Sequence, residues 1–257
     1  MKRLIFSGFT LLALSTPLQA QVAGGHEYVD LGLSGGVLWA TCNMGAAAAE
    51  QAGDRYAWGE PTAKTTFTWD SYRFGPDLSK YNATDGKKVL DTDDDAVEQA
   101  WGGGWRMPTF LDIWNLYMYC TWTWTERNGV AGYEVKGNNG NSIFLAPTGY
   151  CDTTTVKDMG TEGYMWTKSL DKDTIAIALY FRQGTHIWRS TNRYLGLPIR
   201  PVIDKAAATG IDDVNMNDNG NGNGKGHAGT RYNLQGQRVG ADYRGIVVVG
   251  RRKLLAR

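Results

Sequence analysis

The chain contains no lysine-bearing phosphate loop and no HExxH pair in its 257 residues. Two common sequence marks of phosphoryl transfer and metal-assisted hydrolysis are therefore missing. Histidine is scarce: His26, His186 and His227 are the only three, and none stands in a motif that pairs it with a nucleophile. Cysteine is equally sparse. Cys42, Cys120 and Cys151 are spaced too widely for a zinc knuckle or a redox pair. Charge of one sign is absent too, with 27 basic against 26 acidic residues, so no global field draws the chain to nucleic acid. Beyond the first twenty residues no apolar run approaches the length of a membrane span.

What is present begins with those twenty residues. Lys2 and Arg3 precede an apolar run from Leu4 to Leu14, then Pro17 and "LQA", the three-part pattern of a secretory signal cleaved after Ala20. Cleavage removes two positive charges and takes the formal charge from +1 to −1. The expected product is exported, carries no transmembrane segment and meets a compartment where cysteines can bridge.

Composition divides the remainder. Residues 21–204 are rich in Trp, Tyr and Gly, with short alternating apolar stretches bounded by Gly, Asn and Pro, which read as strands. Asn and Gly turn sequences at "RNG" and "NNGN" predict a meander of three strands over 121–150. "DDDAVEQAW" suits a short helix with Val97, Ala100 and Trp101 on one side and Asp91, Asp93, Asp94 and Asp95 solvated at its start. "PTFLDIWNLYMYC" predicts a second helix: Thr109 caps it, Asp112 follows three residues later, and Phe110, Ile113, Leu116, Tyr117 and Cys120 recur at helical spacing. The class is α+β, with helices gathered between β segments. Residues 205–228 have too little apolar surface to offset chain entropy and read as a disordered Gly/Asn-rich linker. Order is expected to resume in a small β module at 229–257.

"GGGWRMPT" at 102–109 looks at first like an anion loop. It lacks the lysine and hydroxyl that grip phosphate, and the segment before it is helical in pattern, so a tight corner between two helices is the expectation.

Several stretches carry a resemblance in order along the chain: "YVDLGLSGGVLWATCNMGA", "YAWGE", "WGGGWRMPT", "CTWTWTERNGVAGYEVKGNNGNSIFLAPTGY" and "NRYLGLPIRPV". Over roughly residues 28–203 the chain resembles the Fibrobacter succinogenes major paralogous domain, a family placed with C-type-lectin-like folds. The resemblance implies a compact domain whose first and last strands, near "YVDLGL" and "IRPVI", lie together. Cys42 and Cys120 both fall in these stretches, and a disulfide between them is expected, with Cys151 free. Formylglycine-generating enzymes share the broader fold and use a cysteine pair late in the domain, where this chain has Cys151 alone. The residues "YNLQGQRVGADYRGIVVVGRRKLLAR" resemble type IX secretion sorting modules, which implies the secretion machinery as a partner and a secreted or outer-cell-surface location.

In lectin-like folds the segment before the last strand forms a variable binding face. Here it is "WRSTNRY", which supplies Trp188, Arg189, Asn192, Arg193 and Tyr194. Aromatic rings stack on sugars or anchor a protein, and Arg and Asn provide directed hydrogen bonds. These five residues are the expected ligand-binding face for a glycan or protein. The carboxylate-rich stretches that calcium-dependent lectins use are out of context here, so no metal and no cofactor is expected. An adhesion or ligand-capture role leads; an exported enzyme or a structural subunit of a surface assembly is the alternative.

Overall fold

The computed structural model describes residues 21–209, 211–213, 231–233, 239–240, 244–249 and 252–256. The expected signal at 1–20 lies outside the described residues. The described residues open with three antiparallel strands, β1 (Gln21–Ala23), β2 (His26–Asp30) and β3 (Val37–Ala40). Residues 41–91 then run without a named strand, held by isolated bridges such as Tyr56 to Leu197, Phe67 to Thr153 and Val89 to Ser169 of a later strand. Helix α1 (Ala96–Trp101), the short β4 (Trp105–Arg106) and helix α2 (Phe110–Tyr119) follow.

The expected three-strand meander is β5 (Thr121–Arg127), β6 (Val130–Lys136) and β7 (Ser142–Leu145). Its first turn places Asn128 and Gly129 at φ 49° and 79°, the doubly left-handed pair that matches the twist of a hairpin. Next come β8 (Thr148–Asp152), β9 (Thr155–Met159), β10 (Glu162–Lys172), β11 (Ile175–Arg182) and β12 (Thr185–Asn192), which form a second sheet in the order β12-β11-β10-β8-β9. The strand β13 (Val202–Asp204) returns to the first sheet, giving β1-β2-β3-β13-β4. The first and last strands of the domain thus share one sheet, but β3 lies between β2 and β13. Strand accounts for 41 % and helix for 12 %, so this is a mostly β domain with few helices and α+β fits it only loosely.

Alternation along β10 and β11 sorts their side chains into two cores. Trp166, Ala176, Ala178 and Tyr180 face one cluster, which also holds Trp58, Tyr72, Phe74 and Tyr81 from the irregular 41–91 stretch. Met165, Leu179 and Phe181 face the other, where Ile113 and Leu116 of α2 meet Tyr133, Val135, Ile143 and Leu145 of the meander. Tyr164 is also buried, at the margin of the first core.

The helix starts follow from their caps. Thr109 and Asp112 form the reciprocal capping box that the spacing predicts. At α1 the expectation fails in part: Asp94 and Asp95 are buried rather than solvated. Asp95 accepts from the amides of Val97, Glu98 and Met107 and pairs with Lys168 at 3.0 Å, so it caps the helix and ties the next strand to it. Asp94 pairs with Lys80 and Arg73 and accepts from the Tyr81 hydroxyl. Ala100, expected on the apolar side, is exposed, while Val97 is buried.

The expected linker begins with order. Lys205–Thr209 is a helix, α3, and β14 (Ile211–Asp213) joins a four-stranded sheet with β15 (Arg231–Asn233), β16 (Gly245–Val249) and β17 (Arg252–Ala256). β14 lies parallel to β17, so the C-terminal β module takes a strand from the stretch assigned to the linker. The rest of the linker, residue 210 and 214–228, lies outside the described residues. Among the described residues no helix is long and apolar enough to cross a membrane.

Candidate functional site

Strand β12 carries most of the expected binding face, and its pairing decides which way each side chain points. Trp188 lies opposite Leu179 and Arg189 opposite Ala178. The two therefore face opposite sides of the sheet, each following its partner's core.

On the first side Trp188 meets helix α2. Its ring lies 5.3 Å from Phe110, 5.2 Å from Trp114 and 5.7 Å from Tyr117, centroid to centroid. His186, two residues earlier, stacks on Trp122 at 4.5 Å and touches Tyr117 and Tyr133. Burial lowers the His186 pKa, and its Nδ1 is buried without a partner, so the neutral ring suits this apolar setting. Trp188 and Trp114 are half-buried, and Tyr117 at the rim is 37 % exposed. The result is an aromatic surface whose inner half fastens α2 to the sheet and whose outer half meets solvent.

On the second side the Arg189 guanidinium sits 3.7 Å from the centre of the Tyr180 ring. Glu162 beside it accepts from the phenols of Tyr164 and Tyr180, each at 2.8 Å. Burial works to raise the Glu162 pKa, but these two hydrogen bonds and the charges of Arg189 and Arg182 outweigh it, and the carboxyl lies below its usual range. Arg189 is exposed. Tyr194 is half-buried and packs on Trp69 at 5.0 Å, and Asn192 is half-buried at the strand's end.

Arg193 does not belong to any surface. It is wholly buried, and its guanidinium donates to the Tyr72 hydroxyl and to the backbone carbonyls of Tyr81, Asp173 and Lys80. The rings of Trp58, Tyr72, Phe74 and Tyr81 surround it, the nearest centroid at 4.9 Å. None of its hydrogen-bond partners is a carboxylate. Arg200 repeats the arrangement, donating to Asn43 Oδ1 and to the carbonyls of Ala40, Thr41 and Phe144, and complete burial lowers its pKa to about 10. These two arginines pin loops to the closing segment, because irregular backbone inside a core must find donors for its carbonyls.

The five expected face residues are therefore divided: Trp188 on one side, Arg189 on the other, Tyr194 and Asn192 at the margin, Arg193 in the core. The sequence reading missed Phe110, Trp114 and Tyr117 as neighbours of Trp188, and His186 with the Trp122 ring it stacks on. Part of the signal was there, since residues 110, 114 and 117 recur at helical spacing beside the buried 113, 116 stripe.

The remaining candidates resolve as scaffold. Gly102, Gly103 and Gly104 have φ of 59°, 61° and 91° and turn the chain out of α1. Glu98 faces the concavity beside them, and Arg106 is held by Asp112 at 2.7 Å and Asp204 at 2.9 Å. An anion finds no free cation there. One match the sequence reading overlooked, G-x-S-x-G at Gly32 to Gly36, links two antiparallel strands, with Ser34 exposed, whereas a nucleophile elbow needs a strand-to-helix turn. All three cysteines are free thiols, so the expected Cys42 to Cys120 bridge is not formed. Cys120 is packed at the end of α2 and burial raises its pKa to about 11. Cys151 is buried near Arg55, and burial raises its pKa as well, with Arg55 opposing; neither thiol is poised as a nucleophile. His227 lies outside the described residues. Comparison of the chain with protein-family models, with curated proteins and with solved structures finds no match.

Proposed function

We propose that the chain is a binding protein of the secreted fraction or outer cell surface, built on a C-type-lectin-like domain. It captures a glycan or protein ligand on the aromatic surface between α2 and β12. The observation that carries this reading is the cluster of Trp188, Trp114, Phe110 and Tyr117, packed ring to ring and open along one rim. Rigid aromatic area that loses few rotamers on binding is what stacking on sugar rings or anchoring a partner requires. The C-terminal β module, in this reading, engages the secretion machinery.

The experiment is ligand capture on a glycan array and in surface-protein pull-downs, comparing the parent chain with Tyr117→Ala. The Tyr117 ring lies at the exposed rim, so the substitution should leave the melting temperature close to the parent value and reduce capture tenfold or more. Capture unchanged by Tyr117→Ala and by Trp114→Ala removes the aromatic surface as the ligand site. Capture of neither class by the folded parent chain removes the binding reading itself.

A further inference from the structure

Strand β12 ends its sheet, and its backbone states which groups it leaves open. The register with β11 runs through eight consecutive pairs from Ile175–Asn192 to Arg182–Thr185 without a shift. One step beyond it the Arg193 amide donates to the Thr174 carbonyl. In an antiparallel pair residues alternate between both backbone groups turned to the neighbour and both turned away. Odd residues of β12 are thus the ones bonded to β11, and even residues turn outward. Two contacts agree. The Asn192 carbonyl accepts from Leu195 instead of from β11, and the carbonyl of Ile177, which lies opposite Ser190, accepts from Thr167 on the far side. The N–H and C=O groups of His186, Trp188 and Ser190 consequently point off the sheet and find no protein partner among the described residues.

The other end of the same sheet is guarded. β9 is exposed throughout, but it carries Lys157 and a left-handed Asp158 at φ 57°, devices that spoil an edge for pairing. β12 has no proline, glycine or lysine and a single charge, Arg189. Ile187 beside that charge is 40 % exposed.

We infer that β12 pairs with β12 of a second copy, antiparallel about a two-fold axis at Trp188, joining the two sheets edge to edge. The open row is its own complement in this register. Trp188 lies opposite Trp188 of the partner, and Ser190 opposite His186, so every outward group on one copy meets one on the other. Arg189 falls opposite Ile187 rather than opposite Arg189, which avoids placing like charges face to face. A formal charge of +1 on the full chain, or −1 without its first twenty residues, offers little repulsion between copies. The pairing rests on the backbone edge and stands whether or not the aromatic surface takes a ligand.

The test is sedimentation velocity of the full chain from about 1 to 200 μM, with hydrogen exchange read at individual amides. The expected result is a concentration-dependent dimer in which the His186, Trp188 and Ser190 amides become protected as it forms. Ile187→Lys places a lysine on the edge and should shift dissociation to at least tenfold higher concentration. Ser190→Pro removes an outward N–H without touching the ladder to β11, and should do the same while retaining the parent's circular dichroism. If Ser190→Pro misfolds, Ile187→Lys together with the exchange pattern decides. A monomer across the range, or a dimer that both folded variants leave intact, overturns the inference.

Discussion

Arg189 and Arg193 stand four residues apart in one short segment, and they have opposite fates. Arg189 belongs to the regular part of β12, lies on the Tyr180 ring and remains exposed. Arg193 follows the strand where the chain turns inward, and it serves the Tyr72 hydroxyl and three carbonyls inside a ring of aromatics. The difference lies in what each guanidinium faces. Arg189 faces the Tyr180 ring and solvent, and its own backbone groups are already bonded to β11. Beside Arg193 the irregular stretch 41–91 brings carbonyls into the core with no ladder to receive them, and an arginine fork satisfies several at once. A buried charge without a carboxylate is ordinarily costly; here it is offset by being the common donor for loops that would otherwise hold unpaired acceptors.

The largest test of this contrast is Arg193→Met. It keeps an apolar stem and strips the donors, leaving three carbonyls unpaired while the Tyr72 phenol keeps only its bond to the Trp58 carbonyl, and it should cost about 3 kcal/mol or more by urea denaturation. Arg200→Met should cost a similar amount. A loss below about 1 kcal/mol at Arg193 would show that water or rearranged loops replace the guanidinium, and the contrast would collapse.

Trp188→Ala tests the intermediate case. The ring is half-buried between β12 and α2, so the loss should be about 2 kcal/mol, short of a fully buried tryptophan. It should be accompanied by faster amide exchange in α2 than in β11.

Arg189→Ala should be milder still, about 0.5 to 1 kcal/mol, the scale of an exposed contact between a cation and a ring. It also removes a charge that holds the Glu162 pKa down, so the Glu162 carboxyl should titrate closer to its ordinary value by NMR. No change in that titration would mean that the two phenols alone set it.

The smallest effect concerns pH. Burial lowers the His186 pKa in the folded chain, so the unfolded chain takes up its proton first as pH falls. Stability is then lost between about 6.5, the unfolded value, and the lower folded value, and is regained as pH rises through that window. Replacing His186 with Phe keeps the stack on Trp122 and should flatten part of the decline in melting temperature from pH 7.5 to 5.5. An unchanged slope would assign the decline to other groups, of which His26, stacked on Trp101 with its pKa also lowered by burial, is the first to test.

Local signals carried the elements well. The Thr109 and Asp112 cap and the Asn128–Gly129 turn depend on neighbouring residues alone, and each stands where the sequence placed it. The corner at Gly102 to Gly104 is there too, but it leads from α1 into the short strand β4 and not directly into a second helix. The aspartates before α1 were misread because composition alone does not reveal that Lys80, Arg73 and Lys168 converge on them from distant segments. The linker was misread at its start for a related reason: Ile211–Asp213 is a strand only because β17 lies beside it.

By itself the sequence determined where the chain turns, caps and alternates, because those preferences are settled within a few residues by backbone sterics and local hydrogen bonds. Tertiary structure alone decided which side of the sheet each residue of "WRSTNRY" joins, which arginine is buried, and that the cysteines stay apart. Each of these depends on pairing register and on carbonyls delivered from segments as far as 160 residues away, and neither leaves a mark in the local pattern.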